Sequence, residues 1–407
     1  MAPTSYVIVG GGLAAVAAAD AIRRRDKEGR IIIISNEPHA PYDRVPLSKD
    51  YLLGNIERDD IFLRRTRFYE RGKIELMLGQ PVTALELDQH RVALANGDHV
   101  SFDKLLLATG GRPRRLPIPG DDLQGVFYLR NVEDTEAIQK AVEGAKRAVV
   151  VGGGFIGCEL ACAFTKLGLH TTVVELTPAV LSLAIDAETS QFIETYLRQQ
   201  GVTVLTEIGA ARFEGEAGQV TAVVTNTDER IEADIVAVGI GIIPNTELAA
   251  EAGLTVDNGV VVNEYLEAAE DVYIAGDIAR YYSPTMGRHV RVEHYDVAMQ
   301  HGRTAAVNMT GERQAYTELP YFFSTMGEIN LNVIGDMGKR EQCVRRGALN
   351  LDPGFAQFYF AENLLQAVLT VNLNGPLLQA AKARILTRQP VADPQAFADE
   401  TRDIAAL

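Results

Sequence analysis

Two clusters of glycine could bind phosphate groups through the peptide backbone. Gly10 and Gly12 follow one apolar run of the chain. Gly152, Gly154 and Gly157 follow another. The first glycine of such a cluster permits a tight turn, and the next lets backbone N–H groups approach a pyrophosphate closely. The spacing therefore predicts two pyrophosphate-binding turns.

A carboxylate follows each glycine cluster at the place where dinucleotide sites bind the adenosine ribose. Glu37 comes shortly after the run of isoleucines at 31–34, and Glu175 follows a second strand-like run. A carboxylate there accepts hydrogen bonds from the ribose hydroxyls and repels a 2′-phosphate. Residues 176–184 contain no arginine. The second site is therefore predicted to prefer NADH to NADPH.

The elements that must hold these groups are a strand, a glycine turn, a helix and a second strand. This pattern occurs twice, beginning at Ser5 and at Arg147. A small third residue, Ala15 in one copy and Gly157 in the other, lets helix and strand pack closely. Two dinucleotide sites in one chain indicate a bound flavin dinucleotide and a diffusible nicotinamide dinucleotide.

Strand-and-turn segments at 101–119 and 232–245 are typical of crossings between domains. We predict an α/β fold with two Rossmann-like dinucleotide-binding domains, one inserted in the other, plus a C-terminal α+β domain. The predicted domains are residues 1–115 and 241–319 for the flavin, 116–240 for the nicotinamide dinucleotide, and 320–407 at the C-terminus.

Composition excludes several classes of protein. The 407 residues carry a net charge of −15, which argues against nucleic-acid binding and a polybasic membrane anchor. Apolar runs fall short of the about 20 residues of a membrane span. Three cysteines exclude a disulfide scaffold and fit a reducing compartment, so a cytoplasmic location is expected.

Five motifs carry a resemblance to a known family: VIVGGGLAA (7–15), PYDRVPLSK (41–49), LLLATGGRPRRL (105–116), VVGGGFIGCE (150–159) and IAGD (274–277). With them the chain resembles the two-dinucleotide flavoprotein reductases of the glutathione-reductase class. Within that class it is similar to the branch of ferredoxin and rubredoxin reductases, monodehydroascorbate reductase and apoptosis-inducing factor. The resemblance implies FAD and NADH as cofactors.

The resemblance also implies which residues contact FAD. The first glycine turn would hold the pyrophosphate, and Asn36 and Glu37 would occupy the adenosine ribose slot. The full set of implied FAD contacts is Gly10, Gly12, Ala14, Ala15, Asn36, Glu37, Arg44, Lys49, Val82, Thr109, Gly110, Arg130, Asp277, His294 and Tyr295.

Lys49, Glu159 and Phe155 are the implied catalytic residues. The resemblance brings Lys49 and Glu159 together at the flavin N5 edge, where a carboxylate lets a buried lysine keep its charge. The alternatives are a surface lysine and, on the first helical turn, a carboxylate that interacts only with the helix dipole. Phe155 either covers the flavin until nicotinamide displaces it or only packs beside the turn. The implied NAD contacts are Gly152, Gly154, Ile156, Gly157, Glu159, Glu175 and Gly239.

Cysteine positions bear on where the electrons leave. Disulfide reductases of this class keep a redox cysteine in the segment that is 41–49 here, and this segment has none. Cys158 and Cys162 are predicted to be structural, since a helical pair four residues apart suits packing more than a disulfide. The resemblance then implies a ferredoxin or rubredoxin as acceptor. The alternatives are a small acceptor (oxygen, a quinone or monodehydroascorbate) or an NADH-sensing flavoprotein, as a monomer or a homodimer.

Basic clusters could dock an acidic ferredoxin. The candidates are Arg64, Arg65 and Arg67, which we favour, then Arg112, Arg114 and Arg115, and then Arg345 and Arg346. The C-terminal domain departs from the FWSDQ motif usual in the ferredoxin-reductase branch. Phe323 stands at the tryptophan place and Thr325 at the aspartate place.

Overall fold

The computed structural model describes residues 3–373 and 375–407, which form two compact units. The first unit comprises residues 1–43, 61–112 and 243–322, and the second comprises residues 44–60, 113–242 and 323–407. Residues 44–60 thus group with the second unit. The domain boundaries drawn from the sequence stay predictions.

Eight α-helices occur in the described part of the chain. They are α1 (Leu13–Arg25), α2 (Thr66–Gly72), α3 (Val132–Val142), α4 (Phe155–Lys166), α5 (Ala187–Gln199), α6 (Glu247–Glu251), α7 (Tyr295–Met309) and α8 (Pro376–Thr387). Short 3₁₀ helices lie at Val45–Ser48, Arg58–Ile61, Leu87–Gln89, Gly276–Ile278, Pro394–Ala398 and Ile404–Ala406. Among these helices none has the length and apolar character that crossing a membrane requires.

The first unit is built around a six-stranded sheet. Its strands, in spatial order, are Glu267–Ala269, Val272–Ile274, Lys104–Leu107, Ser5–Val9, Arg30–Ile34 and Ile74–Met77. Five of them run parallel, and Glu267–Ala269 is the antiparallel edge. Two three-stranded sheets complete the unit, one of Val82–Glu86, Arg91–Leu94 and His99–Ser101, the other of Val260–Val261, Ala279–Ser283 and Arg288–Arg291.

The central strand of this sheet is buried on both faces. In this strand, Ser5–Val9, Val7 and Ile8 are 0% exposed. In the neighbouring strand the four isoleucines at 31–34 are at most 1% exposed. β-Branched side chains suit a parallel strand that is covered on both sides. Chain order reverses at Ser5–Val9, which places the glycine turn after this strand at the topological switch point, where α/β sheets bind ligands.

The second unit repeats this arrangement in a five-stranded parallel sheet. Its order is Thr203–Thr206, His170–Glu175, Arg147–Val151, Ile235–Val238 and Val126–Phe127. A three-stranded antiparallel sheet accompanies it, formed by Ala210–Glu216, Gln219–Thr225 and Arg230–Glu232. The chain passes between the two units at the short strands Gly111–Pro113 and Ile242–Pro244.

The C-terminal residues form a five-stranded sheet with α8. The strand order is Tyr321–Met326, Ile329–Gly335, Leu364–Val371, Phe355–Ala361 and Gln342–Arg346. The strands Phe355–Ala361 and Leu364–Val371 are separated by Glu362 and Asn363, whose φ angles are 54° and 57°. Two positive φ angles in succession are typical of a tight hairpin turn. The predicted fold class, with two dinucleotide-binding domains and a C-terminal α+β domain, is confirmed.

Helices α1 and α7 pack unusually closely in the first unit. α1 presents buried alanines, including Ala14, Ala15 and Ala18. Gly302 of α7 lies opposite, and a Cβ atom there would sit 2.2 Å from the carbonyl oxygen of Ala14. Because the obstacle is backbone, it cannot move aside as a flexible side chain would.

Replacement of Gly302 tests this packing. Gly302→Ala gains about 1 kcal/mol of helix propensity but forces the two helices apart, and overpacking of this kind costs about 1–3 kcal/mol. Since the clash is with backbone, we expect the upper end of that range and a net loss of about 2 kcal/mol in the free energy of unfolding. Denaturant titration followed by circular dichroism measures it.

Arg303→Ala is the matched control, because Arg303 is exposed on the same helix. Its effect should stay within about 0.5 kcal/mol. A Gly302→Ala variant as stable as the wild type would contradict the close packing.

Candidate functional site

The first glycine turn joins the strand Ser5–Val9 to α1. Gly10 has a φ of +125°, and a Cβ there would lie 2.1 Å from the carbonyl oxygen of Ala108. Gly12 caps α1, with no side-chain hydrogen bond at the cap and no acidic residue in the first turn. No described atom lies within 4 Å of the position that a Cβ on Gly12 would take. The start of α1, next to Ala14 and Ala15, therefore has room for a phosphate that accepts from the N–H groups of the first turn.

The predicted ribose slot lies at the end of the neighbouring strand. Tyr42 donates a hydrogen bond from its hydroxyl to Glu37, with 2.5 Å between the oxygens. The backbone N–H of Glu37 donates to Ser35. Asn36, beside it, is exposed. Val82 begins a strand in the adjoining three-stranded sheet. Glu37 is thus held in a fixed orientation by its own unit.

The turn at residues 108–110 is held in place by Asn245, a residue that the sequence analysis missed. Thr109 donates from its hydroxyl to the backbone oxygen of Asn245 over 2.7 Å, and the Asn245 amide donates back to the Thr109 carbonyl over 2.9 Å. The Asn245 N–H also donates to the Gly110 carbonyl. The proline-asparagine sequence at 244–245 was the available signal, since it marks a turn.

His294 and Asp277 lie at two other helix starts of the first unit. Asp277 is in a 3₁₀ helix, and its carbonyl accepts a hydrogen bond from Arg291. His294 caps α7, directly before Tyr295. Burial lowers the pKa of His294 to about 4, although the charge of Asp277 opposes this. The ring is therefore neutral near pH 7, and its Nδ1 atom has no hydrogen-bond partner among the described residues.

The second glycine turn leads from the strand Arg147–Val151 into α4. A Cβ on Gly157 would lie 1.9 Å from the carbonyl oxygen of Gly152, and one on Gly239 would lie 3.4 Å from the Gly157 nitrogen. Any side chain at Gly157 would push the helix off the strand. α4 begins at Phe155, after Gly154. Gly157 thus lies inside the first turn.

The prediction that Glu159 lies on the first turn of this helix was therefore wrong. Glu159 is the fifth helical residue, because the backbone becomes helical two residues before Gly157. It stands one turn deeper than expected, and only 5% of it is exposed. Phe155 opens the helix half-buried, and Ile156 is 44% exposed.

Glu175 is tied to the glycine turn. Its Oε2 atom accepts from the backbone N–H of Gly153 over 2.5 Å, and its Oε1 atom accepts from the N–H of Thr177 over 2.7 Å. The carboxylate therefore lies at the mouth of the turn. From there it can accept hydrogen bonds from ribose hydroxyls.

Lys49 and Glu159 form an ion pair within the second unit. The Nζ of Lys49 lies 2.7 Å from Oε2 of Glu159, and 18% of the lysine side chain is exposed. Two serine hydroxyls, which the sequence analysis missed, also donate to the carboxylate, Ser48 over 2.5 Å and Ser324 over 2.6 Å. Ser48 adjoins Lys49 in the sequence, but nothing local marks Ser324, which is 165 residues from Glu159.

Helix α3 holds the segment that carries Lys49. Thr135 donates to the Leu47 carbonyl, and Tyr51 donates to Glu136 over 2.8 Å. Arg44, at the start of the segment, donates to the carbonyl oxygen of Arg130, so these two predicted FAD residues lie together.

The cysteines form no redox pair in the described residues. Cys158 and Cys162 are buried and free, and Cys343 donates its thiol hydrogen bond to Gln357. Burial raises the pKa of Cys162 and of Cys343 to about 12 and raises that of Cys158 as well. All three thiols are therefore protonated near pH 7, and two of them, Cys158 and Cys162, are also buried.

Comparison with known proteins places this geometry in a family. Residues 4–302 match the model described as pyridine nucleotide-disulphide oxidoreductase, and residues 321–407 match the one described as reductase C-terminal. The chain belongs to the pyridine nucleotide-disulphide oxidoreductase family. The resemblance stated from the five motifs is confirmed.

Similar proteins match from end to end. Rhodocoxin reductase of Rhodococcus erythropolis is 36% identical over 402 residues, which cover 98% of this chain and 93% of the relative. Rubredoxin-NAD(+) reductase of Ectopseudomonas oleovorans is 34% identical over 383 residues, covering 93% and 98%. The crystal structure of the covalent putidaredoxin reductase–putidaredoxin complex matches with a TM-score of 0.94 at 36% identity, covering 99% of this chain and 98% of that one.

The cofactors of this oxidoreductase family, FAD and NADH, fit the two glycine turns. Each turn presents a glycine-capped helix without a competing side-chain cap, which suits a pyrophosphate. The unpartnered, buried Nδ1 atom of His294 fits a large polar ligand in the first unit. Glu175 fits the ribose of NADH in the second. The roles of the individual residues stay predictions.

Removal of the Glu175 carboxylate tests the NADH assignment. In Glu175→Ala the ribose hydroxyls lose a charged acceptor, and hydrogen bonds to charged groups contribute about 1.5–3 kcal/mol. We expect the dissociation constant for NADH to rise about tenfold and the preference over NADPH to shrink. Rapid-mixing measurements of flavin reduction at varied NADH and NADPH concentrations give both constants.

Glu216→Ala serves as control, since Glu216 is an exposed carboxylate in the antiparallel sheet of the same unit. An unchanged preference in Glu175→Ala would show that another group selects the cofactor.

Proposed function

We propose that this chain is an NADH-dependent FAD reductase that passes electrons to a ferredoxin or rubredoxin of an oxygenase-type chain. The proposal is carried by the ion pair between Lys49 and Glu159, together with the lack of a cysteine in residues 41–49. An ion pair beside a flavin can stabilise charge on the reduced ring. Electron transfer through a disulfide requires reactive thiols instead. The names of the relatives, a rhodocoxin reductase and a rubredoxin reductase, support the same acceptor class.

Bound FAD supplies the ability to accept a hydride and to release electrons one at a time. The chain's own part is to keep charge in place beside it. The charges of Lys49 and Glu159 offset each other, which reduces the cost of withdrawing them from water. In this proposal the lysine favours negative charge on the reduced cofactor, and the carboxylate orients the nicotinamide. Phe155, at the start of α4, covers the nicotinamide place until NADH enters.

The acceptor would dock on an exposed basic pair. Arg65 and Arg67 are exposed, and their side chains form no hydrogen bond or ion pair with the described residues. Arg64, beside them, lies over the ring of Phe68. In a chain of net charge −15, such a patch would attract an acidic partner and orient it.

One arginine of each of the other basic clusters is paired within the chain. Arg112 pairs with Glu247, and Arg345 pairs with Glu188. Such internal partners lower the net charge that these arginines offer to a partner. This favours Arg65 and Arg67 for docking.

The few cysteines of the chain also support a cytoplasmic location for the reaction.

Turnover with defined acceptors tests the proposed function. NADH is mixed with the enzyme and, in separate anaerobic assays, with putidaredoxin, a rubredoxin, a quinone or ferricyanide, and oxygen consumption is measured in air. We expect the iron–sulfur or rubredoxin protein to be reduced faster than oxygen or quinone is. Rapid flavin reduction followed by slow transfer to every protein acceptor would instead favour a small-molecule reductase. A long-lived reduced complex with NADH would favour a sensor.

Charge reversal tests the docking surface. Arg65→Glu with Arg67→Glu should raise the KM for the acidic carrier protein about tenfold at low salt, since opposite charges steer encounter. The effect should shrink as salt screens the charges. Steady-state rates at several ionic strengths measure it, with ferricyanide turnover unaffected.

Arg114→Glu is the control at a second exposed arginine. If it raises the KM as much as the double variant does, the partner docks elsewhere or the effect is one of net charge alone.

A further inference from the structure

The Glu159 carboxylate receives hydrogen bonds on both of its oxygens. Oε2 accepts from Ser48 over 2.5 Å and lies 2.7 Å from Nζ of Lys49. Oε1 accepts from Ser324 over 2.6 Å. A carboxylate is an acceptor only, so each serine hydroxyl must donate its proton to it.

All three hydrogen-bonding groups are withdrawn from water. Glu159 is 5% exposed, Ser48 2% and Ser324 1%. Lys49, in contrast, keeps 18% of its side chain exposed and makes only a second, 3.4 Å contact, to the Val45 carbonyl. The serines are the buried partners of the carboxylate, and the lysine is its partly exposed one.

The two serines come from separate parts of the second unit. Ser48 ends a 3₁₀ helix that begins with Val45 and Pro46, and Ser324 lies in the strand Tyr321–Met326 of the C-terminal sheet. A side chain on a strand of a packed sheet has little freedom to move, so its hydroxyl gives a fixed reference point. The carboxylate cannot rotate without losing a donor on one oxygen or the other.

We propose that Ser48 and Ser324 are positioning residues that hold the Glu159 carboxylate in the orientation required for NADH-dependent flavin reduction. This rests on the proposed role of the Lys49–Glu159 pair. With both serines donating, the carboxylate stays satisfied when Lys49 moves toward a substrate or cofactor group. The C-terminal sheet thereby contributes a residue to the site at which NADH reacts.

The test compares Ser48→Ala, Ser324→Ala and Ser324→Thr in the FAD-loaded enzyme. We expect each alanine variant to lower the limiting rate of flavin reduction by NADH about tenfold, because a hydrogen bond to a charged group is lost. Ser324→Thr keeps the hydroxyl and should restore the rate to within about twofold of the wild type. The dissociation constant for NADH should change less than the rate.

A second readout does not involve NADH. If the serines fix a charge beside the flavin, each alanine variant should shift the midpoint potential of the bound FAD, and Ser324→Thr should not. Spectroelectrochemical titration measures the potential. Thr325→Ala is the matched control, since Thr325 is the next residue on the strand. Its hydroxyl donates a hydrogen bond to Asn330 and not to Glu159. It should change neither the rate nor the potential.

Glu159→Gln separates the two proposals. If the serines act through the carboxylate, Ser324→Ala should cause no further loss of rate when it is combined with Glu159→Gln. A full additional tenfold loss in that background would overturn the positioning role, as would a wild-type rate and potential in Ser324→Ala. Should Glu159→Gln itself reduce flavin at the wild-type rate, the proposed role of the ion pair fails first. The acceptor assays above are independent of both outcomes.

Discussion

Withdrawing one carboxylate from water governs much of the second unit. Glu159 lies on the second turn of α4, where a lone buried charge would be expensive. The unit answers with donors from three places: Ser48, Lys49 and Ser324. A buried pair of this kind adds little net stability, and its loss on one side costs about 3–5 kcal/mol. The pair is therefore better explained by the proposed chemistry than by a gain in stability.

The same constraint explains why residues 44–60 lie with the second unit. Lys49 must reach Glu159, and the 3₁₀ helix Val45–Ser48 presents it there. Helix α3 then fixes the segment through Thr135 and Glu136. α3 itself starts with a capping box in which Asn131 and Asp134 satisfy each other's backbone N–H groups. The cap of α3 thus helps to position Lys49. The segment around Lys49 is bound to α3 by the hydrogen bond between Tyr51 and Glu136, which are 85 residues apart.

The sequence was informative wherever function demands a local pattern. Gly10 and Gly157 could be identified because a backbone in close contact with another strand or turn tolerates no side chain, and that requirement appears as glycine at fixed spacing. Glu175 could be identified because it ends the strand after the turn. Ser324 could not, because its hydrogen bond to Glu159 joins residues 165 apart and leaves no spacing in the sequence. The start of α4 was misplaced because glycine is allowed inside the first turn of a helix as well as before it.

The geometry of the strand shows on which face the tryptophan and aspartate places of the FWSDQ motif lie. Successive side chains of a strand point to opposite faces. In Tyr321–Met326, Ser324 and Met326 are buried, whereas Phe323 and Thr325 between them are half-buried. The residues at the tryptophan and aspartate places therefore lie on one face, and the serine that binds Glu159 lies on the other. Substitution at the tryptophan and aspartate places can alter what that face meets, such as a partner protein, without disturbing the hydroxyl on which the carboxylate depends. The strand can thus change the residues of one face while the hydroxyl on its other face still donates to Glu159.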